Sequence, residues 1–189
     1  MIRLVCFLGN PGNEYRATRH NVGWMLLDTA FPALGFRGKF NADVAEVFPS
    51  RKQGGEKLRV VRPTQYMNRS GESIGRAVAF FQLEVHEVCV VHDDLELPFG
   101  SIALKCGGGL GGHNGLRSVK SALGDAGFFR LRIGIGRPQH GKVDSFVLSR
   151  FGPDEEAVLP RVLEAARQRL DAAVYAVDPD SDTTAIKLF

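Results

Sequence analysis

Cysteine is scarce in this chain of 189 residues: Cys6, Cys89 and Cys106 are the whole set, odd in number and scattered. Such a set implies no disulfide framework, and Cys6 and Cys89 lie inside apolar runs where buried thiols are expected. That usage predicts a reducing, cytoplasmic setting. Long hydrophobic runs are missing too, so nothing reads as a membrane span. The first apolar stretch, Ile2 to Leu8, is only a strand's length, carries Arg3 and runs straight into a turn, unlike a signal peptide. The spacings that mark zinc, C-x-x-C and H-E-x-x-H, do not occur. The string Gly71-Glu-Ser-Ile-Gly75 spells G-x-S-x-G, but it falls inside an expected helix rather than at a strand-to-helix turn, so it announces no nucleophile elbow. Repeats and linkers are also absent, and the length suits one domain, residues 1–189, with its own core.

What is present begins with charge. The net charge is a mild +3, but it is unevenly spread. Between Ser101 and Lys142 stand seven basic residues, Lys105, Arg117, Lys120, Arg130, Arg132, Arg137 and Lys142, against the single acid Asp125, so this segment is +6 and the rest of the chain −3. A basic stretch on a nearly neutral protein marks either a polyanion site or a set of solvated surface charges.

Strand and helix patterns alternate along the chain, which predicts an α/β domain. Strands are expected at Ile2–Leu8, Asp43–Phe48, Leu58–Val61, Val88–Val91, Ser101–Lys105 and Phe129–Ile135. Helices are expected from near His20 to Thr29, from a capping Ser70 to about Leu83, from Leu116 to Leu123, and from Gly152-Pro153 onward, where Pro160 threatens a kink. The polar stretch Arg51–Glu56 reads as a connection, and the acidic tail from Asp178 as poorly ordered.

Four motifs carry chemistry. Gly9-Asn-Pro-Gly-Asn-Glu-Tyr-Arg-Ala-Thr-Arg-His-Asn21 puts Asn10 at the end of a buried strand, where open α/β sheets meet ligands, and His20 ahead of an apolar helix. His92-Asp-Asp-Leu-Glu-Leu-Pro98 brings three ionisable groups to the end of an apolar strand, with alternation sending Asp93 to one side and His92 and Asp94 to the other. Asp93 can accept from a histidine and fix its tautomer; His92 with Asp94 could instead hold a metal, though no zinc spacing accompanies them. Arg62-Pro-Thr-Gln-Tyr-Met-Asn-Arg-Ser-Gly71 places the carboxamide of Asn68 between a strand and a helix. Gly107-Gly-Gly-Leu-Gly-Gly-His-Asn-Gly115 formally satisfies G-x-G-x-x-G, but no acid follows about twenty residues on, and His113 and Asn114 occupy the Lys and Ser/Thr positions of a P-loop. It reads as a glycine loop delivering Asn114 to a helix N-terminus, a place that favours anions and oxyanions. A histidine base, a carboxylate partner and several carboxamides suit direct attack of water on a carbonyl.

Together and in this order, these motifs, with Phe-Arg-Leu-Arg-Ile-Gly-Ile-Gly-Arg-Pro ending at Pro138, resemble the bacterial-type peptidyl-tRNA hydrolase family from Leu4 to about Phe151. The resemblance implies a monomeric α/β fold with a twisted mixed sheet and flanking helices. It implies hydrolysis of the ester joining a peptide to the 3′-terminal ribose of tRNA, with no metal or organic cofactor. By position, His20 matches the family's base, Asp93 its partner, and Asn10, Asn68 and Asn114 the groups that position water or substrate. Tyr15 and Met67 match cleft-lining residues, and Lys105 and Arg130 match contacts to tRNA phosphates. Ala103 stands where many members carry a basic residue, Gln65 differs from the usual residue before Tyr66, and the tail after Asp178 is unlike the family's. Two other readings stay open: a non-catalytic RNA-binding relative, and a metal-dependent hydrolase built on His92, Asp93 and Asp94.

Overall fold

The computed structural model describes residues 1–48, 57–176, 179 and 186–188. Among the described residues, eight strands form one mixed sheet: β1 (Leu4–Phe7), β2 (Arg37–Lys39), β3 (Ala42–Val47), β4 (Leu58–Pro63), β5 (Val88–Asp94), β6 (Ser101–Cys106), β7 (Phe129–Gly134) and β8 (Ile186–Lys187). Their order is β2-β3-β4-β1-β5-β7-β6-β8. The four central strands β4, β1, β5 and β7 run parallel, while β2 and β3 on one side and β6 and β8 on the other are antiparallel. Parallel strands are buried on both faces, and β1 and β5 are buried at every position.

Helices cover both faces. Under α1 (Val22–Ala30) and α5 (Pro153–Tyr175) lie Val5, Phe7, Cys89 and Val91 of the central strands, with Val22, Leu26, Val162 and Leu170. The alternate residues Leu4, Cys6, Val88 and Val90 face α2 (Ser70–Phe81) and α3 (Asn114–Leu123) through Ile74, Val78, Leu116 and Val119. A short helix, α4 (Val143–Val147), precedes α5. The α2–α3 approach depends on Gly71, whose Cβ, if it had one, would stand 2.0 Å from the Ser118 carbonyl oxygen.

Several expectations need adjusting. The strand at Val88 continues through His92 and Asp93 to Asp94, so the ionisable groups belong to the sheet itself. Ser70 is not a cap; a 3₁₀ turn, Met67–Arg69, precedes it and makes Ser70 the first, buried residue of α2. Pro160 does not interrupt α5, because it sits on the exposed side where water can reach the carbonyl it leaves unpaired. Arg51–Glu56 lies outside the described residues. Of the tail from Asp178, Pro179 and Ile186–Leu188 are described, and Ile186–Lys187 adds β8 to the edge at β6.

Candidate active site

The segments that follow β1 and β4, the end of β5 and the turn before α3 converge where the parallel strands end. Asn10 ties two of them. Its Oδ1 accepts from the Met67 backbone N–H at 2.8 Å, and its own N–H and C=O are both held by the Asn21 side chain at 2.9 Å. Met67, now buried, touches the start of α3: a Cβ on Gly115 would meet its sulfur at 2.5 Å. Asn68, the next residue, is exposed beside that contact. Tyr15 is half-buried and meets Tyr66 edge to face, with ring centroids 6.3 Å apart.

At the centre is Asp93, 2% exposed, whose single Oδ1 accepts from His20 Nδ1 at 2.8 Å and from His113 Nε2 at 2.9 Å. Burial works to raise the Asp93 pKa, but the imidazoles of His113 and His20 more than offset it and hold the carboxyl well below the usual carboxylate range. An ionised carboxylate only accepts, so both nitrogens facing it carry protons. For His20 this leaves Nε2 with a free lone pair. For His113 the proton lies on Nε2 instead, and that tautomer is required independently. It is the N-cap of α3, and its Nδ1 accepts from the N–H groups of Gly115 at 3.1 Å and Leu116 at 3.3 Å. That cap also takes up two of the amides a helix N-terminus would offer an oxyanion, so the side chain of Asn114, exposed at the first helical position, is the carboxamide left there.

His20, Asp93 and His113 place three potential ligand atoms within 4.8 Å of one another. The tautomers argue against a metal between them. Ligation would have to strip the proton from His113 Nε2 while Nδ1 is still required as an acceptor, or else break the α3 cap. The alternative trio is dispersed. His92 Nδ1 donates to the Asp93 carbonyl at 2.6 Å, while Asp94 pairs with Arg132 at 2.7 Å and accepts the Glu96 N–H at 2.8 Å. Burial drives the His92 pKa far below its ordinary value, so that ring is neutral.

A cavity of about 180 Å³ opens here, lined by His20, His92, Asp93, Asp94, His113 and Asn114, by Leu95, Leu110, Gly111 and Gly112, and by Arg137, Val143, Asp144 and Val147. No serine, threonine or cysteine is among the described residues that line it.

The basic segment divides. Arg130 is 2% exposed, and its guanidinium donates to the carbonyls of Gly107 and Gly109, pinning the glycine loop. The expected contact to a phosphate meets an arginine whose Nη1 and Nη2 are engaged inside the protein and whose Nε is buried without a partner among the described residues. Arg132 and Arg137 are paired with Asp94 and Glu96. Lys105, Arg117, Lys120 and Lys142 are exposed, and none has an acidic partner within 4 Å among the described residues. Ala103 is buried on β6, opposite Arg132. His113 was missed in the sequence, where it appeared only as the residue that spoils a P-loop; its position just before a helix was the one available signal. Asn21, beside His20 in the first motif, was missed as the brace of Asn10.

A histidine held by a buried carboxylate at the carboxyl ends of parallel strands defines a class: an open-sheet α/β protein equipped to move a proton at a bound ligand. A family model described as peptidyl-tRNA hydrolase matches residues 4–186. The peptidyl-tRNA hydrolase of Treponema pallidum is 50% identical over 173 residues, covering 89% of this chain and 85% of its own. That of Geobacter sulfurreducens is 44% identical, covering 92% and 90%. The crystal structure of peptidyl-tRNA hydrolase from Acinetobacter baumannii superposes with a TM-score of 0.82 at 33% identity, over 92% of this chain and 88% of that one. The chain belongs to the peptidyl-tRNA hydrolase family.

Proposed function

We propose that this protein cleaves the ester between the peptide and the 3′-terminal ribose of peptidyl-tRNA, using water activated by His20 and no covalent intermediate. One observation carries the mechanism. Asp93 accepts from His20 Nδ1, which leaves Nε2 as the basic end of a residue that lines the cavity. A water placed there by the amide groups of Asn10 and Asn114 loses its proton to Nε2 as it attacks the ester carbonyl. Asp93 stabilises the imidazolium and Asn114 donates to the developing oxyanion; as the oxyanion collapses, the ester C–O bond breaks and the imidazolium returns its proton to the departing 3′-oxygen. The absence of any hydroxyl or thiol among the described lining residues supports attack by water rather than by a side chain. No metal or organic cofactor enters this scheme.

Asn68 and Asn114 are the chain neighbours of Met67 and Gly115, which meet each other, and carboxamides offer both donor and acceptor to a peptide unit. They would read the amide of the substrate's peptide and reject the ammonium of aminoacyl-tRNA, whose charge finds no partner. Tyr15 flanks the same cleft. Lys105 takes phosphate at the acceptor end, and Arg130 serves it indirectly by shaping the glycine loop. The reading is of a cytoplasmic monomer, one domain throughout, with a tail from about residue 178.

The test is release of intact tRNA from purified N-acetyl-aminoacyl-tRNA. Wild type should release it with full activity after exhaustive chelation, and His20→Ala should lose roughly 10²–10⁴-fold in turnover, the range for acid–base catalysis. Near-normal turnover by His20→Ala refutes the base assignment. Loss on chelation that returns with added metal refutes the metal-free scheme.

A further inference from the structure

We infer that Glu155, at the start of α5, is a positioning residue for His20, acting through Arg19; the inference rests on the reading of His20 as the base. Arg19 immediately precedes His20 in one 3₁₀ turn, Arg19–Asn21, and is itself only 7% exposed. Its guanidinium meets both oxygens of Glu155, at 2.9 and 2.5 Å. Its Cζ also lies 4.4 Å from the ring centre of Phe146 and 4.9 Å from that of Phe151. The backbone is held too: Arg19 N–H donates to the Ser149 carbonyl at 2.9 Å, and Thr18 bridges to Arg150. Glu155 is also tied to its own helix, because its Oε2, the oxygen that meets Arg19 Nη2, accepts the N–H of Gly152, the N-cap of α5, at 2.7 Å.

The consequence for His20 is mechanical. A buried guanidinium is tolerated only while it is paired. Take away the Glu155 charge and Arg19 gains by moving toward water, and adjacent residues of one tight turn move together. His20 then leaves the position in which Nδ1 reaches Asp93 at 2.8 Å. Its tautomer is no longer held, and Nε2 is no longer aimed. The pair makes no contact with the proposed peptide-reading carboxamides in this structure, so the loss should fall on turnover rather than on binding.

The experiment compares Glu155→Gln with wild type on N-acetyl-aminoacyl-tRNA, with ¹⁵N-histidine NMR of the same proteins. Expected are a kcat lower by about 10- to 100-fold, the scale of a small misplacement, and a KM within about threefold. The downfield Nδ1–H signal of His20 should be lost while the His113 Nε2–H signal remains. Val174→Ala, at the far end of α5, should lower the melting temperature and leave kcat unchanged. If Glu155→Gln keeps kcat within twofold of wild type and retains the His20 signal, the inference is wrong. Equal kcat loss in Val174→Ala at a matched melting temperature also overturns it, because the effect would then be general destabilisation. Should Glu155→Gln not fold, Arg19→Lys, which keeps the charge and loses the fork, is held to the same outcomes. His20→Ala separates the levels: if it is inactive while Glu155→Gln is normal, only this inference fails.

Discussion

Replacing Asp93 with asparagine isolates the charge of the centre from its shape. Both imidazoles donate to the same oxygen, Oδ1, so an asparagine with its carbonyl in that place can accept both bonds and keep both tautomers. What disappears is the negative charge that meets the imidazolium of His20. With charge centres about 4 Å apart and an effective dielectric constant of about 20, that attraction is about 4 kcal/mol. If half the proton has reached Nε2 in the transition state, about 2 kcal/mol is lost, or about 30-fold in kcat. Single-turnover release of tRNA, with kcat and KM separated, is the assay. A kcat within threefold of wild type would refute the argument that the carboxylate's charge drives the step. The same substitution has a pH signature in stability. The folded pKa of Asp93 lies below its unfolded value, so its contribution is present above the ordinary carboxylate range and is lost as pH falls through the folded value. The stability gap between wild type and Asp93→Asn should therefore be widest near neutrality and close in acid. A gap that is constant with pH would show that the carboxylate is not preferentially stabilised by folding.

Other outcomes follow from single contacts. Gly71→Ala should cost about 1–3 kcal/mol or more in a denaturant melt, as overpacking does, because its Cβ would run into the Ser118 carbonyl; a neutral result would mean that α2 and α3 slide freely. Lys105→Gln should reduce the salt slope of tRNA binding by about 1 and leave cleavage of a minimal peptidyl-adenosine ester unchanged. Arg130→Gln should impair both substrates, since the loop it pins leads to His113 and Asn114; loss confined to tRNA binding would restore a phosphate role for it. Burial pushes Cys89 up to about 12 and Cys6 well above its ordinary value, so in native protein at pH 8 a thiol reagent should reach Cys106 first, and all three only after unfolding. Rapid native labelling of Cys6 or Cys89 would contradict a tightly closed sheet. Asn68→Ala and Asn114→Ala should each narrow the kcat/KM ratio between acylated and free aminoacyl-tRNA, and full retention of that ratio would place selectivity elsewhere.

Alternation of apolar strands and amphipathic helices was sufficient to expect an α/β sheet, because two-sided burial leaves its mark on every residue of β1 and on Val88–Val91 of β5. The motifs were legible for the same local reason: turn residues, a histidine and carboxamides at strand ends announce themselves by type and spacing. What the linear chain could not show is which groups share an atom. His20 and His113 meet on one oxygen of Asp93 across 73 and 20 residues of chain, and only the closure of the sheet determines that. The basic segment teaches the opposite lesson. Arg130 and Lys105 look alike in sequence and stand side by side in register, yet one is spent on glycine carbonyls and the other is exposed. A charge carries no record of its own burial. The partner that buries or pairs it comes from elsewhere in the chain, as Glu155 does for Arg19 across 136 residues, and tertiary packing alone makes that choice.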